Sequence, residues 1–348
     1  MATLVTGAGG FLGKLLVKQL LQEGTEVRAM VHHIDKGALR EQEGLTIIEG
    51  EIEDQQSIRK CMEGCERVYH LAALATPWVK DHNLYHRVNV EGTSNLLQVA
   101  EECGVDKVIH TSSAGTLGPQ KGADLVTEEQ RLAAEDALTF YEITKIKAEE
   151  RVQQAVHEGK VDAVIVNPTR LQGPGPIRAS NGVTKMIKGY LNATWRIIPG
   201  DGKRLGNYVY TEDVIRGMTQ AMEHGRPGER YLLGGPNLTF NELFDMIAKV
   251  SGHHTRMIRI PAFLLISTAL GMQGWAALTG KAPLITSGWV RKYLMNDWGA
   301  DISKAEKELG YAPHSAEEGI QKTYEWLVKE GHVSSGTRES SQALEGPS

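Results

Sequence analysis

The chain has 348 residues, of which 41% are hydrophobic and 23% charged, and it carries a formal net charge of −5. This composition suits a globular protein of one large domain or two intimately packed ones, and its mild acidity excludes a basic footprint for nucleic acid. Three cysteines, Cys61, Cys65 and Cys103, cannot all pair with one another, so buried thiols in a reducing, cytoplasmic compartment are expected.

The chain opens on "MATLVTGAGGFLGKLLVKQLL". No basic cluster precedes the apolar run, glycines interrupt it and no small-residue cleavage site follows, so a secretory leader is not expected. Instead "ATLVTG" reads as a strand and "FLGKLLVKQLLQEG" as a helix ending at Gly24. Next come strands at "EVRAMVH" and "LTIIEGE", a helix at "SIRKCMEG", a strand at "RVYHLAA" and a helix at "GTSNLLQVAEECG". A strand at "KVIHTSS", a helix at "FYEITKIKAEERVQQAV" and a strand at "DAVIVNPT" complete the alternation. Strands separated by amphipathic helices predict an α/β fold, with a doubly wound parallel sheet of Rossmann type covered on both faces.

Past residue 170 the rhythm changes. "GPGPIRAS" is turn-rich, "GVTKMIKGYLNAT" helical, "YVYTEDVIRGMTQAM" a strand running into a helix, and "ERYLLGG" a strand. "TFNELFDMIAKVSG" predicts a helix capped by Thr239 or Asn241. Residues 1–170 are expected to form a dinucleotide-binding domain, with returns near 207–224, and 171–206 and 225–328 a smaller interleaved substrate-binding domain. The longest apolar stretch, "PAFLLISTALGMQGWAALT" at 261–279, reads as a helical lid or pocket wall in preference to a membrane contact, because Gly271, Gln273 and Gly274 interrupt it. The polar tail over 332–348 is expected to be disordered. Neither the Cys61–Cys65 spacing nor the pairs His32–His33 and His253–His254 have ligand partners at metal spacing, so no metal site is expected.

Gly7, Gly10 and Gly13 lie between a strand and a helix. One tight turn, one close approach of a pyrophosphate to backbone amides and one close helix–strand contact each require a residue without Cβ. The phosphates then rest on the helix N-terminus, where free N–H groups and the dipole favour an anion.

"TGAGGFLG" resembles the TGxxGFxG loop of the extended short-chain dehydrogenase/reductase superfamily. Further motifs follow in that superfamily's order: "HLAA" at 70–73, "VNVEGT" at 88–93, "TSSAGTLG" at 111–118, "YEITK" at 141–145, "VNPTRLQGP" at 166–174, "YVYTEDV" at 208–214 and "DISKAEKELGYAP" at 301–313. Over residues 1 to about 328 the chain is thus similar to its NAD-dependent epimerase/dehydratase family. Within that family "TSSAGTLG" and "GRPGERYLLGG" look most like the dihydroflavonol-reductase-like and hopanoid-associated epimerase-like group. The resemblance implies that the dinucleotide lies against Gly7, Gly10, Phe11, Leu12 and Gly13, then His32 and Lys36, Glu51 and Ile52, Leu71, Ala72 and Ala73, and Pro168. Tyr141 and Lys145 complete that set. It also implies a homodimer through the helices at 92–103 and 141–157.

Tyr141 and Lys145 are four apart in a helical segment and share a face, and Tyr141 is the only one of ten tyrosines with a lysine four residues on. A phenol of pKa near ~10 is a poor acid–base catalyst at neutral pH unless a nearby cation favours its phenolate. By resemblance Tyr141 is the proton donor and acceptor, Lys145 also holds the nicotinamide ribose, and Ser113 holds the substrate oxygen, with Ser112 the alternative. Asn89 is either part of the local hydrogen-bond network or a helix cap.

At the end of the second strand, relatives that prefer NAD commonly carry an acid. His32, His33 and Lys36 stand here instead, with Arg28 upstream, so NADP(H) is favoured and NAD(H) is the alternative. Gly206 occupies the place where nucleotide-sugar epimerases carry a phosphate-gripping arginine. Arg170 is the candidate for a polar or anionic substrate group, or a brace of the domain interface. With the apolar 261–279 stretch, these features point to a ketone or aldehyde reductase, or the reverse alcohol oxidation, acting on a small or hydrophobic substrate. The alternatives are an epimerase or dehydratase with tightly bound NAD, a 3β-hydroxysteroid-dehydrogenase-like enzyme, and a non-enzymatic dinucleotide sensor.

Overall fold

In the computed structural model the described residues are 2–33, 39–76, 78–177, 179–279, 281, 283 and 285–334. Lys36 and residues 335–348, most of the expected tail, lie outside them.

The alternation read from the sequence is the alternation observed. Its elements are β1 (Ala2–Thr6), α1 (Phe11–Gln22), β2 (Glu26–Val31), β3 (Leu45–Glu49), α2 (Gln55–Met62), β4 (Cys65–His70), α3 (Asn83–His86), α4 (Gly92–Cys103) and β5 (Lys107–Thr111). Next come α5 (Phe140–His157), β6 (Ala163–Pro168), β7 (Arg170–Gln172), α6 (Gly182–Leu191), β8 (Ile197–Pro199), β9 (Leu205–Tyr210), α7 (Thr211–His224) and β10 (Arg230–Leu233). The chain then runs through β11 (Asn237–Thr239), α8 (Phe240–Ser251), β12 (Ile258–Ile260), α9 (Ala262–Thr279), α10 (Ser287–Met295), α11 (Ser303–Leu309) and α12 (Ala316–Lys329).

A seven-stranded sheet runs in the order β10-β6-β5-β4-β1-β2-β3, with every neighbouring pair parallel. All six residues of β6 are buried, because helices cover both faces and leave no side for polar alternation. One core packs α1, α7 and α11 on one face, and a second packs α2, α4 and α5 on the other. The order reverses at β1, so the crevice beyond the carboxyl ends of β1 and β4 is where a doubly wound sheet takes its ligand.

A three-stranded sheet, β11-β9-β7, and a two-stranded one, β12-β8, carry the smaller unit. Two sequence expectations change here. Residues 230–233, assigned to the substrate-binding part, belong to the main sheet as β10. Tyr231, Leu232 and Leu233 are fully buried, and Leu232 N–H donates to the buried Glu128 carboxylate at 2.8 Å. Of the stretch near 207–224, expected to return to the main domain, the strand β9 instead pairs with β7 and β11, and α7 goes back to cover β5 and β6. At α8 the cap is Thr239, in a reciprocal box with Glu242, while Asn241 donates to Asp201 O.

Candidate active site

The loop after β1 is built for close approach. Gly7 has φ +66°, and a Cβ there would lie 2.7 Å from Ala72 N and 2.8 Å from Leu71 C. At Gly13 a Cβ would collide with the backbone of Gly7 and Ala8. Gly10 caps α1 without a side chain to occupy the first amides, which stay free to bind an anion. Phe11 and Leu12 begin that helix, and Leu71, Ala72 and Ala73 run beside Gly7 at the end of β4. Thr6 ties the two together, its hydroxyl accepting from Ala72 N at 3.2 Å.

From Thr6 a buried polar column crosses the sheet. Thr6 Oγ1 meets His70 Nδ1 at 2.8 Å, and the His70 and His110 rings lie 5.3 Å apart. Lys145 Nζ donates to His110 Nε2 at 3.1 Å. Burial pushes His70 down to about 3, with the Lys145 charge adding to the effect, and lowers His110 well below its ordinary value. Two neutral rings therefore line the lysine. Burial also brings Lys145 down to about 8, against the pull of Glu149. Asn89 is part of this network and caps no helix. Sitting in a π-helical turn over 87–91, it accepts from Leu74 N at 2.7 Å and donates to Thr144 Oγ1 at 3.0 Å.

At the end of β5 the extended backbone turns Ser112 and Ser113 to opposite sides. Ser112 gives its hydroxyl to the fully buried Glu149 carboxylate, which also accepts from Thr116 Oγ1 at 2.7 Å and Asn167 at 2.8 Å and pairs with Arg230 at 2.8 Å. Ser112 is thus committed to the interior, which corrects its candidacy for substrate contact. Ser113 Oγ accepts only the Gly115 amide, at 3.2 Å, among the described residues, and its proton is free to be donated.

Tyr141 stands in the first turn of α5, after the Thr139 cap. Burial pushes its phenol up to about 12. The sequence pointed to Lys145 as the cation that eases this. In the structure the leading opposing charge is Lys292, on α10. Its buried ammonium pairs with Glu142 at 2.7 Å, would lie 2.6 Å from a Cβ on Gly115, and sits 4.9 Å from the Tyr293 ring. Burial works against the Lys292 charge, but Tyr293 and Glu142 outweigh it and raise its pKa. Lys292, Glu142 and Glu149 were not singled out from the sequence. Glu142 lies within the Tyr141–Lys145 stretch of α5 and Glu149 one turn beyond it, but buried carboxylates carry no local signature that separates them from surface ones.

The model of the NAD dependent epimerase/dehydratase family matches residues 3–234. The chain belongs to this family. It is 33% identical to sterol demethylase protein B of Methylococcus capsulatus over 96% of this chain and all of that one. It is 28% identical to a putative dihydroflavonol 4-reductase of Synechocystis over 94% of this chain and 95% of the relative. Among solved structures, UDP-glucuronic acid 4-epimerase from Bacillus cereus in complex with NAD superposes with a TM-score of 0.74 at 26% identity, covering 95% of this chain and 99% of that one.

At the end of β2, the side chains depart from the sequence expectation. Arg28 turns away, donating to Cys61 O and Lys60 O at 2.8 Å each. His32 pairs with Glu51 at 2.8 Å, and His33 approaches Glu49 at 3.4 Å. His32 and His33 each therefore face a carboxylate. Ile52 is buried beneath Gly92, and Pro168 ends β6 in the interior. Arg170 lies under Tyr208, Phe240 and Tyr293, its guanidinium carbon 5.3–5.9 Å from their ring centres, and donates to Tyr208 Oη at 3.1 Å. Its Nε is buried without a hydrogen-bond partner among the described residues. A Cβ on Gly206 would collide with this guanidinium, so the small residue there makes room for Arg170.

Proposed function

We propose that this chain is an NAD(P)-dependent oxidoreductase that reduces the ketone or aldehyde of a small or hydrophobic substrate, or oxidises the matching alcohol. The observation that supports this best is that the glycine cradle, Ser113 and the Lys145–His110 contact gather at the carboxyl ends of β1 and β5, with Tyr141 one turn before Lys145 on α5. Gly7, Gly10 and Gly13 would admit the pyrophosphate, and Lys145 the ribose hydroxyls. Bound there, a nicotinamide dinucleotide supplies or takes the hydride. Ser113 donates a hydrogen bond to the substrate oxygen, and Tyr141 delivers its proton to that oxygen during reduction. Arg170 either anchors a polar substrate group through its unpartnered Nε or braces the aromatic wall beneath it. A homodimer through α4 and α5 is part of the same proposal.

Denaturing the purified protein and identifying what it releases tests this function. The expected result is little retained nucleotide, with NAD(P)H-dependent turnover of hydrophobic ketones or aldehydes. Stoichiometric NAD that survives dialysis would make the chain an epimerase or dehydratase instead.

The choice between the two dinucleotides is proposed to rest on the His32–Glu51 pair. A carboxylate beside a 2′-phosphate costs affinity by like-charge repulsion, on the order of 1 kcal/mol at an exposed site. Glu51→Gln is expected to shift the ratio of NADH to NADPH dissociation constants about fivefold towards NADPH, measured by fluorescence titration. An unchanged ratio would remove Glu51 from cofactor selection.

A further inference from the structure

The expected lid helix α9 is largely uncovered. It has no charged residue from Ala262 to Thr279, and Phe263, Leu264, Leu270, Trp275 and Leu278 are 66%, 47%, 52%, 65% and 84% exposed. Ala269 and Ala276 are its buried residues among those described. Ile258, in the strand that leads into it, is 56% exposed. A contiguous apolar surface on this scale marks an interaction site.

The charges next to it along the chain point to the partner. Residues 246–296 contain no Asp or Glu, in a chain whose net charge is −5. The same span holds Lys249, Arg256, Arg259, Lys281, Arg291 and Lys292. Lys249 and Lys292 are paired with Glu317 and Glu142. Arg256, Arg259, Lys281 and Arg291 are exposed, and none of the four forms an ion pair among the described residues.

We propose that α9 and its flanking cations form a docking surface for an anionic membrane, with the helix lying in the interface plane. An apolar face entering the acyl boundary beneath a rim of Lys and Arg is what such a surface requires. An exposed Trp275 suits the headgroup level. The helix does not cross: no helix among the described residues is long and apolar enough. A second copy of the chain fits less well, because a two-fold interface through α9 would set basic rim against basic rim. α10 packs along α9, with Ser287 N–H donating to Gln273 at 2.8 Å, and carries Lys292 and Tyr293 to the neighbourhood of Tyr141. Docking therefore places a lipid-dissolved substrate next to the candidate site, and vesicle binding through α9 does not depend on what that site does.

Co-sedimentation of the full chain with vesicles of phosphatidylcholine, with and without phosphatidylglycerol, tests the proposal. Binding is expected to the anionic vesicles and to weaken with salt. Replacing Phe263, Leu270, Trp275 and Leu278 with Ser should abolish it, with dinucleotide affinity and melting temperature serving as folding controls. Should that variant misfold, Arg256→Gln, Arg259→Gln and Lys281→Gln together serve as the second test. They are expected to weaken partitioning on the order of a hundredfold at low salt. Vesicle binding that is absent, or equal for wild type and the charge variant, would overturn the proposal. So would a wild-type dimer that the apolar variant converts to monomer without any vesicle binding.

Discussion

Tyr141→Phe is expected to lower kcat by about 10³-fold, within the ~10²–10⁴ range for loss of a positioned proton donor, while leaving dinucleotide affinity within about twofold. The substitution removes one oxygen from a half-buried ring and leaves the glycine cradle and the Lys145–His110 contact untouched. Steady-state kinetics with the identified carbonyl substrate, beside a direct binding titration, separates the two quantities. Turnover at the wild-type rate would place the proton donor elsewhere. The pH profile adds a second check. Because burial holds Tyr141 near 12 in the free protein, its proton is present throughout the neutral range. Reduction should therefore lose nothing through Tyr141 between pH 6 and 9. Oxidation needs the phenolate, so its kcat/KM should rise about tenfold per pH unit on that account. Lys292 is the leading charge that limits the rise of this pKa, and Lys292→Met should displace the oxidation profile to higher pH without changing its slope.

Glu149→Ala carries the largest expected stability effect. The carboxylate is fully buried, and its loss leaves Arg230 as an unpaired buried cation while Ser112, Thr116 and Asn167 lose their shared acceptor. Breaking a buried ion pair from one side costs roughly 3–5 kcal/mol. A fall of about 5–10 °C in melting temperature is expected, together with loss of turnover as the Ser113 segment loosens. The double variant Glu149→Leu/Arg230→Met should recover much of the stability, because it removes both charges. If Glu149→Ala melts within a degree of wild type, this network does not hold the segment.

The legible part of the molecule was the part written in local pattern. The glycine spacing announced the loop because backbone contacts at Gly7 and Gly13 leave no room for a Cβ, and a missing side chain is visible in a sequence. The alternation of buried strands and amphipathic helices announced the parallel sheet, since a sheet covered on both faces needs continuous apolar runs. Tyr141 and Lys145 stood out as a pair because a helix keeps positions four apart on one face. Each of these signals lies within a few residues of itself.

What the tertiary structure decided was every pairing between distant segments. No local pattern could show that Lys292 pairs with Glu142, that Ser112 turns inward to Glu149 while Ser113 faces out, or that Arg28 spends its donors on the end of α2. The sheet that takes β9 away from the Rossmann domain and gives it β10 was equally out of reach, because apolar strands look alike wherever they pair. Even α9 reads the same as a core helix or a surface one. Its apolar composition is local, but its exposure depends on what the rest of the chain leaves uncovered, and that is fixed only when the whole chain has packed.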